Sequence, residues 1–340
     1  MDKPARVAAI IVHFGDPAPT RRCLDSLGGL DEIILVDQPP TRLGDDARIT
    51  KRIAPDTNVG FAAACNLAVA ATDAPFVLLV NNDALLAPGS ADALRTAATS
   101  LADDEAGACL KLLDLDGRTI QSAGGLYFTR DGIGFPNGFG QTDRGQYDVL
   151  VPDRIGVPSG AAALFRNQAW RDAGGMDEAF FCYCEDGDLG LRMVAAGQRF
   201  AWWPQVVVHH ELSRATGAHS LFKAFHVERN HYATMVHTGT MGALAMLPFF
   251  TVARFLRVAV DTLRGQGASA GLQEDASTLE LIGTALRAWA SALTMLPRAW
   301  HQRRGLLIRH PSGPSRVAHF LATRRVALAQ FSRPRSGPAK

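Results

Sequence analysis

What the sequence has little of narrows it first. Its five cysteines are scattered, at positions 23, 65, 109, 182 and 184 of 340. An odd, dispersed set makes no disulfide framework, and buried reduced thiols of a cytosolic protein are the reading it favours. Only Cys182 and Cys184 lie close together, and C-x-C without a second pair is a weak metal signal. The apolar stretch "MGALAMLPFFTVA" (241–253) has thirteen residues, short of the roughly 20 that span a bilayer. The start, "MDKPARVAAIIVHFGD", has too short an apolar run for a signal peptide and no small-residue cleavage site, so a first strand is expected there. No internal repeat is visible. Acids are missing from one region: residues 281–340 hold eleven Lys or Arg and no Asp or Glu. The net charge of +2 hides this, because the first 280 residues carry 24 basic against 33 acidic side chains. Such a tail suits an anionic partner, nucleic acid or a membrane surface.

What is present is an alternation of strands and helices. Hydrophobic residues make up 47% and charged residues 20%, the balance of a globular protein with enough chain for one large domain or two smaller ones. "VAAIIVHF" (7–14), "EIILVDQ" (32–38) and "FVLLVNND" (76–83) are short, β-branched apolar runs. Between them, "APTRRCLDSLGGL" (18–30) and "GFAAACNLAVAAT" (60–72) are Ala- and Leu-rich and helical in character. That order, with short connections, predicts an α/β fold with a doubly wound, mostly parallel, Rossmann-like sheet. Residues 114–150, rich in Gly and Asp, read as loops and irregular strands over the sheet. A helix is expected after "EDGDL", with Leu189, Met193 and Val194 on one face and Gly197 ending it. "QRFAWWPQVVVHH" (198–210) reads as a further strand.

Open α/β sheets bind ligands at the carboxyl ends of their strands. Asp37 follows "IILV", Asn58 precedes the helix "VGFAAACN", and Asp83 follows "FVLLV". One such residue would mean little, since turn-forming Asp and Asn commonly follow strands; three at equivalent ends suggest a site. A carboxylate after a buried strand can hold a hard divalent cation that bridges substrate phosphates. A second acidic cluster stands in "FFCYCEDGDLGLR", where Glu185, Asp186 and Asp188 precede a helix. Capping that helix accounts for Asp188. The aromatic run before the cluster is an apolar setting of the kind that raises a carboxylate towards general-base duty.

Taken in order, "VAAIIVHF", "ILVDQ", "NVGFAAACN", "LLVNND", "PSGAAALFR", "AGGMDEAFFCYCEDGDLGLR" and "WWPQVVVHHELSRAT" resemble the inverting family 2 glycosyltransferases, with most similarity to bacterial rhamnosyltransferase-like and galactofuranosyltransferase-like members. The resemblance runs from about residue 7 to 232. It implies a GT-A fold, a nucleotide-diphosphate sugar donor and a Mg²⁺ or Mn²⁺ ion. By the same resemblance Asp37 contacts the nucleoside, and Asn58 and Asn66 line the donor pocket. Asn82 and Asp83 are the middle and last places of a metal triplet. Asp186 is the general base with Glu185 its neighbour, and His210 joins the metal shell. His209, which a strand would turn to the other face, ranks second. "VDQPP" departs from the family, because Gln38-Pro39-Pro40 stiffens a loop and removes backbone donors. The segment "GVPSGAAALFR" (156–166), with Arg166, could supply the floor near the acceptor, core packing being the favoured alternative. His226, Arg229, Asn230, His231 and Tyr232 resemble a stretch that closes over the donor phosphates, a solvated helix face being the alternative.

The expected division is a nucleotide-sugar-binding half over 1–105, an acceptor and catalytic half over 106–232, C-terminal amphipathic helices over 233–330 and a disordered tail over 331–340. The amphipathic helices are read as lying on a membrane surface through Arg254, Arg257, Trp289 and Trp300; packing on the catalytic domain, or a homodimer contact, is the alternative. The function so implied is sugar transfer to a glycan or lipid-linked acceptor in bacterial cell-envelope polysaccharide synthesis, by an enzyme peripheral on the inner face of the cell membrane. Rhamnose is the sugar the resemblance suggests. A nucleotidyltransferase is the alternative within enzymes, although "EDGD" argues against it. A non-catalytic nucleotide-sugar-binding subunit is the alternative outside them. Nucleic-acid binding rests on the basic tail alone, with few interleaved aromatics, and is set aside.

Overall fold

A computed structural model describes residues 5–211, 220–263 and 278–326. The tail at 331–340 expected to be disordered lies outside the described residues, as does most of "ELSRAT". The apolar runs form the middle of one sheet. β1 (Val7–His13), β2 (Glu32–Asp37), β3 (Lys51–Ile53) and β4 (Phe76–Val80) pair in parallel, in the spatial order β3-β2-β1-β4. Every residue of β1 and β4 is buried, as their unbroken hydrophobicity requires of strands covered on both faces. The two faces feed two cores by strict alternation. Ala8, Ile10, Val12, Val77 and Leu79 enter one, while Val7, Ala9, Ile11, Leu78 and Val80 enter the other. The first core is closed by α2 (Gly60–Ala70), the second by α1 (Pro17–Ser26) and α3 (Ser90–Ala98).

Beyond β4 the sheet is mixed rather than simply parallel. β5 (Ala84–Leu86) follows at once, then β6 (Glu105–Leu113), β7 (Ile120–Ser122), β8 (Leu126–Phe128), β9 (Gly134–Pro136), β10 (Ala162–Arg166) and β11 (Arg199–His210). β10 inserts antiparallel between β4 and β6, β11 runs parallel to β6, and β5 closes the order antiparallel to β11. The segment 114–150 contributes β7 to β6 and a separate β8–β9 ribbon. After β10 come α4 (Asn167–Asp172) and α5 (Glu185–Ala195), the helix expected from "EDGDL".

The remaining helices are α6 (Leu221–Thr238), α7 (Met241–Leu263), α8 (Thr278–Arg309) and α9 (Gly313–Ala322). The division drawn at 232 falls inside α6. α6 packs on α8 through Ala233, Val236 and Ala299, with Phe180, from the turn ahead of α5, in the same cluster. Arg303 on α8 donates to the carbonyls of Val236 and Gly239. α9 lies on α5, and Val326 beyond it donates to the Phe128 carbonyl of β8.

α7 and α8 carry a wide apolar face: Met241, Phe249 and Leu256 on one and Leu279, Leu293 and Ile308 on the other are each more than 60% exposed. Met241–Val258 is long and apolar enough to cross a membrane by length and composition, which the thirteen-residue run in the sequence did not suggest. Two of the four residues expected to meet lipid do something else. Arg254 is buried and bonded to Asp131 at 2.6 Å and to both oxygens of Glu228 at 2.6 and 2.8 Å. Trp289 packs edge-on against Phe255, with ring centroids 5.4 Å apart. An arginine this fully paired pins α7 to the protein, since leaving its partners uncompensated would cost about 3–5 kcal/mol.

Candidate active site

A cavity of about 390 Å³ opens where the parallel strands end, in the size range of small-molecule sites. Asp83 reaches it from the turn after β4. That turn is held at three points: Ala84 N–H donates to Asn81 O, Asn81 N–H to Ala161 O, and Glu211 N–H to Asp83 O. Asn82 also borders the cavity but donates its amide to Thr20 Oγ1 at 3.1 Å, tying it to α1. Asp83 Oδ1 lies 3.2 Å from His210 Nε2. The strand alternation turns His209 the other way, to Asp114 O at 3.3 Å.

Gln121, from β7, completes this corner. Its Nε2 donates to the His210 carbonyl at 2.6 Å, which leaves Oε1 to accept from His210 Nδ1 at 2.7 Å. A proton on Nδ1 leaves the Nε2 lone pair towards Asp83 and the cavity, the orientation a metal-binding histidine needs. An acid, a histidine and this outer partner fit a hard divalent cation, which takes oxygen and histidine ligands. Among the described residues no group of three or more His, Cys, Asp or Glu could enclose an ion alone. Cys182 and Cys184 are free, and burial raises both thiols, which opposes the thiolate a metal would need.

The second wall is the start of α5. Three residues before its first turn, Phe181, Tyr183 and Cys184, have φ of 64°, 69° and 70°, a region that costs such side chains about 1–3 kcal/mol each. Neighbours hold them there. Asn230 Nδ2 reaches the carbonyls of Phe180, Cys182 and Tyr183 at 2.7–3.0 Å, and Arg229 those of Ala179 and Phe180. The N–H groups of Phe61 and Ala62, at the start of α2, donate to Phe181 O at 2.7 and 3.2 Å. A Cβ on Gly60 would stand 2.5 Å from the Phe181 ring, so only glycine admits this approach.

The strained turn sets Glu185 and Asp186 on the cavity wall. Asp186 Oδ2 accepts from Gly160 N–H and Oδ1 from Gly187 N–H, both at 2.7 Å. Burial pushes the Asp186 carboxyl above the ordinary carboxylate range, against the pull of these two donors. Burial, with the charge of Asp186 beside it, pushes Glu185 well up, and Glu185 Oε2 is enclosed without a partner. Asp188 points away. Burial opposes its charge, but Arg192 at 2.8 Å and His237 at 2.7 Å bring its carboxyl down to about 2.

The cavity therefore gathers Asn58, Asn82, Asp83, Glu185, Asp186 and His210, but neither Asp37 nor Asn66. Asp37 is 1% exposed, with Leu43 N–H on one oxygen and Arg52 on the other. Asn66 braces the loop before α5, exchanging hydrogen bonds with the backbone of Met176 and accepting from Trp170. Arg229 and Asn230, expected over the phosphates, are spent on the strained turn instead. Gln38 and Gln121 went unread as site residues because a lone amide carries no distinctive spacing.

Set against solved structures, this sheet is the GT-A fold. The chain aligns with a 1–349 fragment of S. aureus TarS at TM-score 0.50 and 13% identity, covering 94% of this chain and 90% of that one. It aligns with GalNAc-T7, solved with UDP, GalNAc and Mn²⁺, at TM-score 0.52 and 11% identity, covering 71% and 49%. The chain belongs to the family described as "Glycosyltransferase like family 2", whose model matches residues 5–231. It is 32% identical over 200 residues to N-acetylglucosaminyl-diphospho-decaprenol L-rhamnosyltransferase of two Mycobacterium tuberculosis strains. That alignment covers 53% of this chain and 63% of the length of these relatives.

Proposed function

We propose that the protein is an inverting hexosyltransferase that moves a sugar from a nucleotide-diphosphate donor to a lipid-linked or glycan acceptor in bacterial cell-envelope polysaccharide synthesis. The names of the mycobacterial relatives favour rhamnose as the sugar and a polyprenyl-diphosphate-linked saccharide as the acceptor. The observation that carries the reading is one cavity with the Asp186 carboxylate on one wall and the Asp83–His210 pair on another.

In this reading Asp186 takes the proton of an acceptor hydroxyl as its oxygen attacks the anomeric carbon. The new C–O bond forms on the face opposite the departing diphosphate, so one displacement inverts the anomeric configuration. The N–H groups of Gly160 and Gly187 fix the carboxylate for that task. Burial beside Asp186 favours the neutral carboxyl of Glu185, which could then donate to a substrate oxygen. Asp83 and His210 would hold Mg²⁺ or Mn²⁺, which when bound offsets charge on the leaving diphosphate. Lys223, which also lines the cavity and lies over the Tyr183 ring, adds a positive charge.

The exposed apolar faces of α7 and α8 and the arginine-rich, acid-free C-terminal stretch fit an anionic lipid surface, where a lipid-linked acceptor resides. The protein would then act from the inner face of the cell membrane.

The test is an assay with Mn²⁺, a panel of nucleotide sugars including a thymidine-diphosphate rhamnose, and a polyprenyl-diphosphate N-acetylglucosamine. Mass spectrometry should find the glycosylated lipid, NMR an inverted anomeric centre, and Asp186→Asn should lower turnover by about 10²–10⁴-fold. A folded protein that binds nucleotides yet yields no product from any donor would point to the non-catalytic subunit.

A further inference from the structure

The turn between β8 and β9 carries a cation that the site described so far does not use. Arg130 stands in that turn, and a short parallel pairing brings Arg325 alongside β8. Phe128 N–H donates to Arg324 O at 2.9 Å, and Val326 N–H donates to Phe128 O at 3.0 Å. Arg324 is buried and spent on the carbonyls of Pro152, Ile155 and Phe320. Arg130 and Arg325 are exposed instead, and among the described residues neither has a carboxylate partner. Partial burial lowers the Arg325 guanidinium from its ordinary value, and the charge of Arg130 lowers it further. Two like charges brought together without an acid attract an anion from outside.

The ground beneath the pair is stiff. Gly132 N–H donates to Thr129 O at 3.1 Å, Ile133 N–H to Thr129 Oγ1 at 2.9 Å, and that hydroxyl to Asp131 Oδ1 at 2.6 Å. Asp131 is itself held by Arg254 of α7. Position then says which anion fits. On one side Gly132, Ile133 and Gly134 line the cavity, the first of them two residues, at most about 7 Å of chain, from Arg130. On the other side the Arg130 guanidinium lies 5.1 Å from the centroid of the Phe250 ring on α7, a helix whose Met246 and Phe249 are exposed. The cations thus stand between the cavity and an apolar helix face. A lipid-linked sugar has the same order of parts: sugar, diphosphate, hydrocarbon chain. We infer that Arg130 and Arg325 hold the diphosphate of the acceptor, with its sugar in the cavity and its chain along α7. The planar guanidinium fork suits phosphate oxygens. The inference rests on the acceptor class proposed above and adds the residues that recognise it.

The test compares two acceptors in a neutral detergent, which offers no anionic headgroup of its own. One is polyprenyl-diphosphate N-acetylglucosamine; the other is the polyprenyl glycoside of the same sugar, without the diphosphate. With Mn²⁺ and a nucleotide-sugar donor, the full chain should favour the diphosphate in kcat/KM by about 10–100-fold, the scale of one or two charge-assisted hydrogen bonds. Combining Arg130→Gln and Arg325→Gln should remove most of that preference through KM, with nucleotide binding by calorimetry and thermal melting unchanged. Combining Arg130→Lys and Arg325→Lys keeps both charges and should recover much of it. Each single Gln exchange should carry part of the loss, and the singles decide the matter should the double variant fail to fold. A wild type without the preference, or a folded Gln double variant that retains it, overturns the role of the pair and leaves the transferase standing. A double variant that retains the preference but no longer binds phosphatidylglycerol vesicles overturns it too, and makes the pair a phospholipid contact. A wild type that glycosylates neither acceptor from any donor overturns the transferase reading, and this inference with it.

Discussion

The ends of β2 and β4 look alike in sequence and differ in what the fold makes of them. Each is a buried run that finishes in an acid, Asp37 in "IILVD" and Asp83 in "FVLLVNND". At β2 the next residues fold back, so that Leu43 N–H and Arg52 each take one oxygen of the buried carboxylate, which does not line the cavity. At β4 the chain turns straight into β5, which leaves Asp83 with His210 as its close partner on an open wall. A satisfied acid holds structure together. One with spare lone pairs facing a cavity is available for chemistry, and that difference lies in the partners rather than in the acid.

Exchanging the two acids should separate the two roles. Asp83→Asn should cost on the order of 10²–10³-fold in kcat/KM, the scale of losing one group that stabilises developing charge, while thermal melting barely moves. Asp37→Ala should do the reverse. Removing two hydrogen bonds to a buried carboxylate, one from a cation, should destabilise by about 2–3 kcal/mol, with turnover per folded molecule nearly kept. If Asp37→Ala abolished nucleotide binding in a protein that melts normally, the contrast would collapse and Asp37 would return to the site.

Sequence reasoning reaches the two ends unequally for a physical reason. Hydrophobic runs bounded by polar residues report burial, which is why β1, β2, β4, α2, α5 and β11 were legible with boundaries a few residues off. The antiparallel insertion of β10 was not, because "AALFR" reads the same in either direction. β5 has three residues and too little pattern to register. Within the site, Asp83 and the acidic cluster at 185–188 stood out through residue type and context, whereas Asp186 as the base and His210 were reached only through the family resemblance. Whether Asp37 was free depended on Arg52, fifteen residues away, and no local pattern encodes that pairing. The same holds for Trp289 and Arg254, which suit a membrane face by composition but are used inside, against Phe255 and against Asp131 and Glu228.

A smaller effect probes how the β4 end is prepared. Gln121 touches His210 only on the side away from the cavity, so Gln121→Leu removes no cavity group. It frees His210 to take the other tautomer, with its proton on Nε2 facing Asp83. Calorimetry should show Mn²⁺ affinity reduced by about 10–100-fold, as for other outer partners of metal-binding histidines, and Gln121→Glu, which still accepts from Nδ1, should recover most of it. Equal affinity in all three proteins would mean that the Asp83–His210 pair needs no such preparation.

The smallest effect concerns the acids of the second wall. Two backbone donors favour the charged form of Asp186, whereas Glu185 Oε2 has none, so as pH rises Asp186 ionises first and Glu185 remains protonated. The sign follows from the raised value of Asp186. Below it the base is protonated and idle, so activity should climb with pH along a limb displaced upward from the ordinary carboxylate range. At neutral pH, Glu185→Gln exchanges one neutral donor for another and should change kcat by less than about tenfold, the worth of a single hydrogen bond. Its signature is at the alkaline end. In the wild type, ionising Glu185 places a second negative charge beside Asp186 and turns activity down; Glu185→Gln should remove that fall and leave the acid limb in place. An acid limb that disappears in Glu185→Gln instead would make Glu185 the base and Asp186 its support.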